Sequence, residues 1–485
     1  MTQGRDRLRA GAKVWPLGLA AFLAVSAGLR AQDAGNLPSA PTPSPTVRSA
    51  SPYSVEQETA QVLPLSLDDA IELGKKKNLN VLLSRQNQLG VHGGILTAGN
   101  ALLPNISAVG KTATQQINLA AMGFKPSSLA GLGLGTFPSI VKVDTTSLQL
   151  NVDQALFNAS AYYLFRAAQK AEKAAEFTSL NVQGTVVLQV GTYYLRALAD
   201  AAQIENAKSL EKADQEVLRQ ATASHDAGVG TNLDVLRARV QLQTQQQALI
   251  NAENTFAKDK IALNRAIGLP AGQEIVLTDT VPFAEYATLP LSEALALGYQ
   301  RRKDLLGLQA QIDVADQARK AVRAERFPTL GFNGYYGVVG ETRGLYHGAF
   351  VAQGTVKVPV FQEGQLRGER EVAVAQLTAL RQQVASLKVT IDQQIRSAML
   401  DVQAANDLVK VARSNVDLST QALQDATDRF AAGVEDNLPV VQAQAVLANA
   451  QSRLVQTLYQ YNQAKLQLAR NTGVVETQYK AYLGR

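Results

Sequence analysis

The sequence predicts a mainly α-helical chain made of two copies of one unit, each with a long helical hairpin and two transmembrane β-strands. Three observations support this fold class. Long stretches without proline carry apolar residues at helical spacing, and one turn sequence occurs twice. In addition, four short segments alternate apolar and polar residues, as strands with one apolar face do. Together they favour a helical protein that contributes four strands to a membrane β-barrel.

The first long hairpin is predicted over residues 160–268. From Ser160 to Asp226 its first arm contains no proline and is rich in alanine, glutamine and leucine, which favour helix. Apolar residues recur along one face of this arm: Val182, Val186, Val190, Tyr193, Ala197, Ala201 and Ile204. At about 1.5 Å per residue the arm is roughly 100 Å long, so the hairpin is a rod or a wall.

The same hairpin occurs a second time, over residues 364–473. The turn residues Gly228 and Val229 correspond to Gly433 and Val434, which lie 205 residues further along the chain. The chain is therefore a tandem duplication. Its predicted parts are a signal peptide (1–31), a Pro/Ser-rich extended leader (32–63), a first repeat (64–270), a connector (271–290), a second repeat (291–475) and a tail (476–485).

The predicted signal peptide places basic residues before the apolar run Val14–Leu29, with Ala31 as a cleavage point. A short membrane anchor is the alternative, but Pro16 interrupts a run that is already short for a span. The net charge is +6, and without residues 1–31 it falls to +2, so nucleic acid is not predicted as a partner. The chain has no cysteine, which excludes disulfides and thiolate chemistry.

A short helical pattern begins at Leu65, with Ser66 placed to cap it, and a second helix runs from about Leu79 to Leu102, before Pro104. Strands are predicted at about 105–118 and 143–156 in the first repeat, and at about 329–341 and 348–360 in the second.

Within the last of these strands, Val356 is predicted to face lipid and Thr355 the lumen. A soluble, half-buried sheet is the alternative. Export, and the lack of apolar cover within one chain, favour the membrane.

Candidate catalytic and metal-ligating residues are few. His92, His225 and His347 stand far apart in the sequence, and none has a metal-ligand spacing. The sequence contains no P-loop, dinucleotide-binding fingerprint or nucleophile elbow. We therefore expect no enzymatic activity, no cofactor and no metal site.

The two hairpin turns are more informative. Each has glycine after the long helix, as a helix C-terminus prefers, and an asparagine (Asn232, Asn437) at a predicted N-cap. A plain turn explains those residues, but a repeated apolar tip is typical of a docking surface. The predicted docking tips are Gly228, Val229, Gly230, Gly433, Val434 and Glu435.

The duplicated order of helix, strand hairpin, long helix, Gly-Val turn and return helix resembles the TolC-type outer membrane efflux protein family, over about 64–475. The most specific match runs from Ala227 to Arg239, and Leu156-Phe157 and Val360-Phe361 also match.

The resemblance implies a homotrimer, with a 12-stranded barrel in the outer membrane of a Gram-negative type envelope and a 12-helix periplasmic tunnel. It implies a passive exit duct for a tripartite efflux or type I secretion system, coupled through a periplasmic adaptor to an inner-membrane pump. In this family, acidic residues just past the turns line the narrow end of the tunnel.

By position, those acids fall on Asp234, Pro439 and Gln442, so the possible constriction is Asp234 and Gln442 with one carboxylate kept. The alternative function is an exported coiled-coil structural or adhesive protein, which explains the long helices but not the four strands.

Overall fold

The computed structural model describes residues 61–123, 138–280, 283–286, 289–432, 434–435 and 437–484. The predicted signal peptide and nearly all of the predicted leader lie outside these residues. The described strands are β1 (Leu63–Leu65), β2 (Asn105–Asn118), β3 (Ile140–Phe157), β4 (Ile275–Leu277), β5 (Thr329–Glu341) and β6 (Tyr346–Lys357). The described helices are α1 (Leu67–Lys77), α2 (Leu79–Asn100), α3 (Ala159–Asp226), α4 (Asn232–Ile267), α5 (Leu291–Arg301), α6 (Lys303–Ala324), α7 (Glu363–Ala431), α8 (Leu438–Asn471) and α9 (Val475–Leu483).

The two repeats contain helices of nearly equal length. Helices α1 and α5 have 11 residues each, and α2 and α6 have 22 each. The long helices α3 and α7 have 68 and 69 residues. The predicted fold class, a duplicated set of long helical hairpins with four main strands, is confirmed. None of the helices in the described ranges combines the length and apolar content needed to cross a membrane.

Helix α1 begins with the predicted cap. The Ser66 hydroxyl accepts a hydrogen bond from the Asp69 backbone N–H at 3.2 Å, and the Asp69 carboxylate accepts one from the Ser66 N–H at 3.4 Å. This reciprocal pair is a capping box. Leu65 lies in β1 and not in the helix, because β1 pairs in parallel with the connector strand β4, where Leu65 is opposite Leu277.

The main core is formed by buried side chains of α1, α3, α4, α7, α8 and α9. Helix α3 contributes Val186, Val190, Tyr194 and Leu198, spaced four residues apart and all buried. Tyr194 is fully buried, because it continues the four-residue spacing from Val190, and the predicted Tyr193 is partly buried against the same core. Its hydroxyl lies 2.9 Å from the Leu65 carbonyl oxygen.

The segment predicted as a tail forms helix α9. Its apolar side chains Val475, Tyr482 and Leu483 are buried, and the Tyr482 ring stacks on Tyr286 of the connector with centroids 4.9 Å apart. Burial of these side chains orders a segment that has no long apolar run in the sequence.

Both return helices end at a glycine with left-handed backbone. Gly268 has φ 77° and Gly473 has φ 75°. A Cβ at Gly268 would lie 2.6 Å from the Lys77 carbonyl oxygen, and one at Gly473 would lie 2.7 Å from the Arg301 carbonyl carbon. The two ends therefore dock at the same place in each repeat, against the last residue of α1 or α5.

The four longer strands form one antiparallel sheet in the order β2-β3-β5-β6. Strand β2 spans the predicted residues, and β3 begins three residues before the predicted start. Strand β6 ends at Lys357, and not at the predicted Val360. Lys357 is opposite Thr329, the first residue of β5, so the next residues have no strand to pair with.

Candidate functional site

One face of the sheet is apolar across all four strands. Directly opposite residues share a face, so the register groups the side chains into rows. The central apolar row contains Ala108, Leu150, Tyr336 and Phe350. Tyr336 is 71% exposed and Phe350 75% exposed, so this face is uncovered within the single chain. An uncovered apolar face of this extent needs a partner surface or lipid.

The opposite face of the sheet is mostly polar. Its neighbouring row contains Ser107, Asn151, Tyr335 and Val351, and the next row towards the helices contains Asn105, Asp153, Asn333 and Gln353. Val356 pairs with Leu330 on the apolar face, while Thr355 pairs with Gly331 on the polar face. A β-bulge between Ala155 and Phe157 places Phe157 on the apolar face, beside Leu330.

The apolar band ends at a row of threonines. The Thr146 hydroxyl lies 3.2 Å from that of Thr112 and 3.0 Å from that of Thr342. Beyond this row the same face carries Asp144 and Lys142. From Leu148 to Phe157 the band extends roughly 30 Å along a strand, which is long enough for a tilted strand to span a membrane.

The two outer strands, β2 and β6, each pair on one side only in the described sheet. Their free backbone N–H and C=O groups face away from the chain. Such edges cannot face lipid, where water does not satisfy them. The sheet is therefore complete only when other strands pair with β2 and β6.

The first turn, between α3 and α4, ends the long helix with a Schellman motif. The Val229 N–H donates to the Ser224 carbonyl at 3.0 Å and the Gly228 N–H to the His225 carbonyl at 2.9 Å. Gly228 has φ 75°. At the tip the Val229 side chain is 83% exposed. Gly230 follows, and a Cβ there would lie 3.0 Å from the Ser224 Cβ.

The second turn, between α7 and α8, has the matching bond, from the Val434 N–H to the Arg429 carbonyl at 3.1 Å. Val434 is 74% exposed, and the Glu435 carboxylate pairs with the Arg429 guanidinium at 3.1 Å. Gly433 lies outside the described residues. Both turns therefore present an uncovered valine where the long helix reverses.

The two predicted constriction residues differ in their surroundings. Asp234 is buried, and its carboxylate accepts hydrogen bonds from the Thr231 hydroxyl at 2.6 Å and the Thr231 N–H at 3.2 Å. Its Oδ1 also lies 3.7 Å from Arg237. Gln442 is exposed on α8. Asp234 therefore caps its own helix within the single chain, and Gln442 faces away from the buried core.

One of the two predicted N-cap residues requires a correction. Thr231 caps α4, and Asn232 is the first helical residue. Asn437 is the N-cap residue of α8, as predicted, but its side chain makes no cap hydrogen bond. Instead, the fully buried Asn437 amide donates to the Asp234 carbonyl at 2.8 Å. This bond joins the two turns across 203 residues of sequence. Thr231 with Asp234 three residues later is a cap signature that could be found in the sequence, whereas nothing local marks Asn437.

Replacing Asn437 with leucine is expected to loosen both turns. The change removes the hydrogen bond from the Asn437 amide to the Asp234 carbonyl, which is worth about 0.5–1.5 kcal/mol. Hydrogen exchange should increase in residues 229–240 and 437–445. The control is Asn232→Leu, since Asn232 occupies the corresponding position of the first turn and is exposed. Equal exchange in the two variants would show that the bond does not hold the turns.

The histidines do not form a cluster. His92 on α2 lies 2.9 Å from the Glu172 carboxylate of α3, His225 lies in the last turn of α3, and His347 lies on β6. Within the described ranges no three acidic or histidine side chains are grouped in a way that could hold a metal ion.

Comparison with known proteins gives consistent matches. The sequence pattern of the family described as outer membrane efflux protein matches residues 91–269 and 294–474. The pyoverdine export outer membrane protein OpmQ of Pseudomonas putida is 25% identical over 476 residues, covering 92% of this chain and 94% of that protein. Outer membrane protein TolC of Escherichia coli is 22% identical over 349 residues, covering 68% of this chain and 70% of that protein.

Among solved structures, the Campylobacter jejuni CmeC outer membrane channel superimposes with a TM-score of 0.72 at 14% identity. The superposition covers 84% of this chain and 86% of that chain. The fold is therefore shared far beyond the residues that are identical.

Proposed function

Because the chain belongs to the outer membrane efflux protein family, we propose that it forms, as a homotrimer, the passive exit duct of a tripartite efflux or type I secretion system. As a member of this family it is an outer membrane channel with a periplasmic extension. Coupling through a periplasmic adaptor to an inner-membrane pump is the further part of the proposal. Small-molecule efflux and protein secretion are both compatible with this duct, because both use the same kind of passage.

The observation that carries this proposal is the uncovered apolar face of a sheet with two open edges. The four strands alternate in direction, and four is an even number. Strand β6 of one copy can therefore pair antiparallel with β2 of the next copy and continue the alternation of strand direction. Two copies would give eight strands, whose interior is filled by side chains. Three copies give twelve strands and are the smallest ring with room for a passage.

The same ring orients the rest of the chain. The apolar rows then face lipid, and the polar rows, with Asn151, Asn333 and Gln353, line the lumen. Each chain adds α3, α4, α7 and α8, so three chains give a tunnel of twelve helices. The turns lie at the end of the long helices farthest from the sheet, which is where an adaptor would dock.

The docking surface comprises Gly228, Val229 and Gly230 of the first turn with Gly433, Val434 and Glu435 of the second. Val229 and Val434 are exposed and apolar, as the centre of an interface requires. Asp234 and Gln442 remain the residues proposed at the tunnel constriction. No P-loop occurs in the sequence, so the pump is expected to supply the energy for transport.

The first test is the oligomeric state. The mature protein, extracted from outer membranes in mild detergent, is expected to have three times the chain mass by mass photometry, and cross-linking should stop at trimer. The control is the same measurement after full denaturation, which should give the single-chain mass. A single-chain mass in detergent, with most of the chain recovered in the soluble fraction and not in the outer membrane, would contradict the duct. That outcome would favour the exported coiled-coil alternative.

A further inference from the structure

A pair of carboxyl groups joins α3 to α4 well away from the sheet and from the tips. The Asp200 carboxyl of α3 lies beside the Asp259 carboxyl of α4. Arg196 of α3 lies with its Nε 2.6 Å from Asp259 Oδ2. Tyr459 of α8 faces the same three groups. Two acids and one guanidinium thus lie together where three helices meet.

The carboxyl pair is largely withdrawn from water. The Asp259 side chain is 13% exposed. The Asp200 Oδ2 atom is shielded from solvent and receives no hydrogen bond from the described residues. A crevice of about 490 Å³ between α3, α4 and α8 runs alongside, lined by Arg196, Asp200 and Tyr459 together with Asn251, Thr255 and Gln456. A rearrangement of the three helices at this point therefore has room to occur.

The charges at the pair balance only when a proton is present. Arg196 neutralises one carboxylate, so two ionised carboxylates leave one uncompensated negative charge between α3 and α4. Burial, the hydrogen bond to Asp259 and the Asp259 charge raise the pKa of Asp200 to about 7, although Arg196 lowers it. Burial raises the pKa of Tyr459, so its phenol stays neutral in the pH range where Asp200 titrates.

We propose that Asp200 and Asp259 form a proton-operated latch that fastens the return helix α4 to α3 about 40 Å from the tip. With one shared proton, the two carboxyls are joined by a hydrogen bond, and Arg196 balances the remaining charge. When that proton leaves, the hydrogen bond is lost and two carboxylates repel each other across the α3–α4 contact. The latch therefore opens α4 away from α3 and admits water from the crevice.

The sign of the pH dependence follows from proton binding. In the open latch the Asp200 carboxyl faces water and has its ordinary pKa near 4. Between about pH 4 and about pH 7 the closed latch thus holds more protons than the open one. The closed state therefore loses stability as pH rises through this window. A single shared proton limits the change in the closing equilibrium to about tenfold per pH unit.

Hydrogen exchange on the full-length protein in detergent tests the latch, at about pH 5.5 and about pH 8 and corrected for the intrinsic exchange rate. Wild type is expected to lose protection severalfold at the higher pH in residues 195–205 and 255–263. Asp200→Asn keeps the shape and a hydrogen-bond donor but cannot ionise, so its protection should not change with pH. Asp259→Asn should also remove the change of protection with pH. This second variant replaces Asp200→Asn in the test if Asp200→Asn does not fold.

The matched control is Asp214→Asn, 14 residues further along α3. Burial raises the pKa of Asp214 to about 6, although a hydrogen bond from Gln241 lowers it. This variant should retain the full pH response in residues 195–205 and 255–263. Equal protection of the wild type at both pH values, or an unchanged response in Asp200→Asn, would overturn the proposal. Neither result depends on export activity, so the latch and the duct can fail separately.

Discussion

Replacing Leu150 with arginine is expected to prevent the chain from assembling in the outer membrane. Leu150 lies on the central strand β3, between Ala108 and Tyr336, in the middle row of the apolar face. An arginine near the middle of the bilayer costs roughly 2–4 kcal/mol, and a trimer would contain it three times. The measurement is a blot for the trimer in isolated outer membranes, beside the total amount of the chain.

The control for this variant is Asn151→Arg, one residue further along the same strand. Asn151 lies opposite Tyr335 on the polar face, so its arginine would enter the lumen and assembly should be normal. Val356→Arg should reduce assembly less than Leu150→Arg, because Val356 lies near the helical end of the band, where the cost is smaller. Equal assembly of the Leu150 and Asn151 variants would show that the apolar face is not the lipid face.

Changing Val229 and Val434 together to aspartate is expected to abolish export while leaving the trimer intact. The two valines are 83% and 74% exposed, so the substitutions remove almost no buried area and should cost little folding stability. In a docked adaptor interface, however, each would place an unpaired charge among apolar atoms. Substrate accumulation in cells is the measurement, beside a blot for the outer membrane trimer.

The control for the tip variant is Val229→Thr with Val434→Thr. Threonine has nearly the shape of valine and no charge, so this pair should retain much more export than the aspartate pair. Glycine substitutions are poorer tests, because Gly228 has φ 75° and a bulky residue there would damage the turn itself. Normal export by the aspartate variant at normal trimer levels would show that the valines are only turn residues.

The repeated pattern made much of this fold predictable. Strict alternation places Val356 and Thr355 on opposite faces, and the register shows them there. Proline and glycine mark element ends where their backbone requirements act locally, as at Pro104 and Gly268. The cap at Ser66 was predictable for the same reason, because its partner is three residues away.

Features that depend on distant partners could not be predicted. The last strand ends at Lys357 because β5, its neighbour, begins at the opposite residue. The Asn437 side-chain amide makes no bond to its own helix and donates to the Asp234 carbonyl, 203 residues away in the sequence. Asp200 and Asp259 meet only because two long helices pack in one register. In each case the decisive contact lies on another element, and no local pattern encodes it.

The two open edges of the sheet also have a genetic consequence. In the proposed ring every seam joins β6 of one chain to β2 of the next, so each chain takes part in two seams. One chain with a damaged sheet therefore disrupts the whole ring. If intact and faulty chains mix at random in equal amounts, about one trimer in eight contains intact chains only. Alleles that damage the sheet but still enter the ring should consequently be dominant over the wild-type allele.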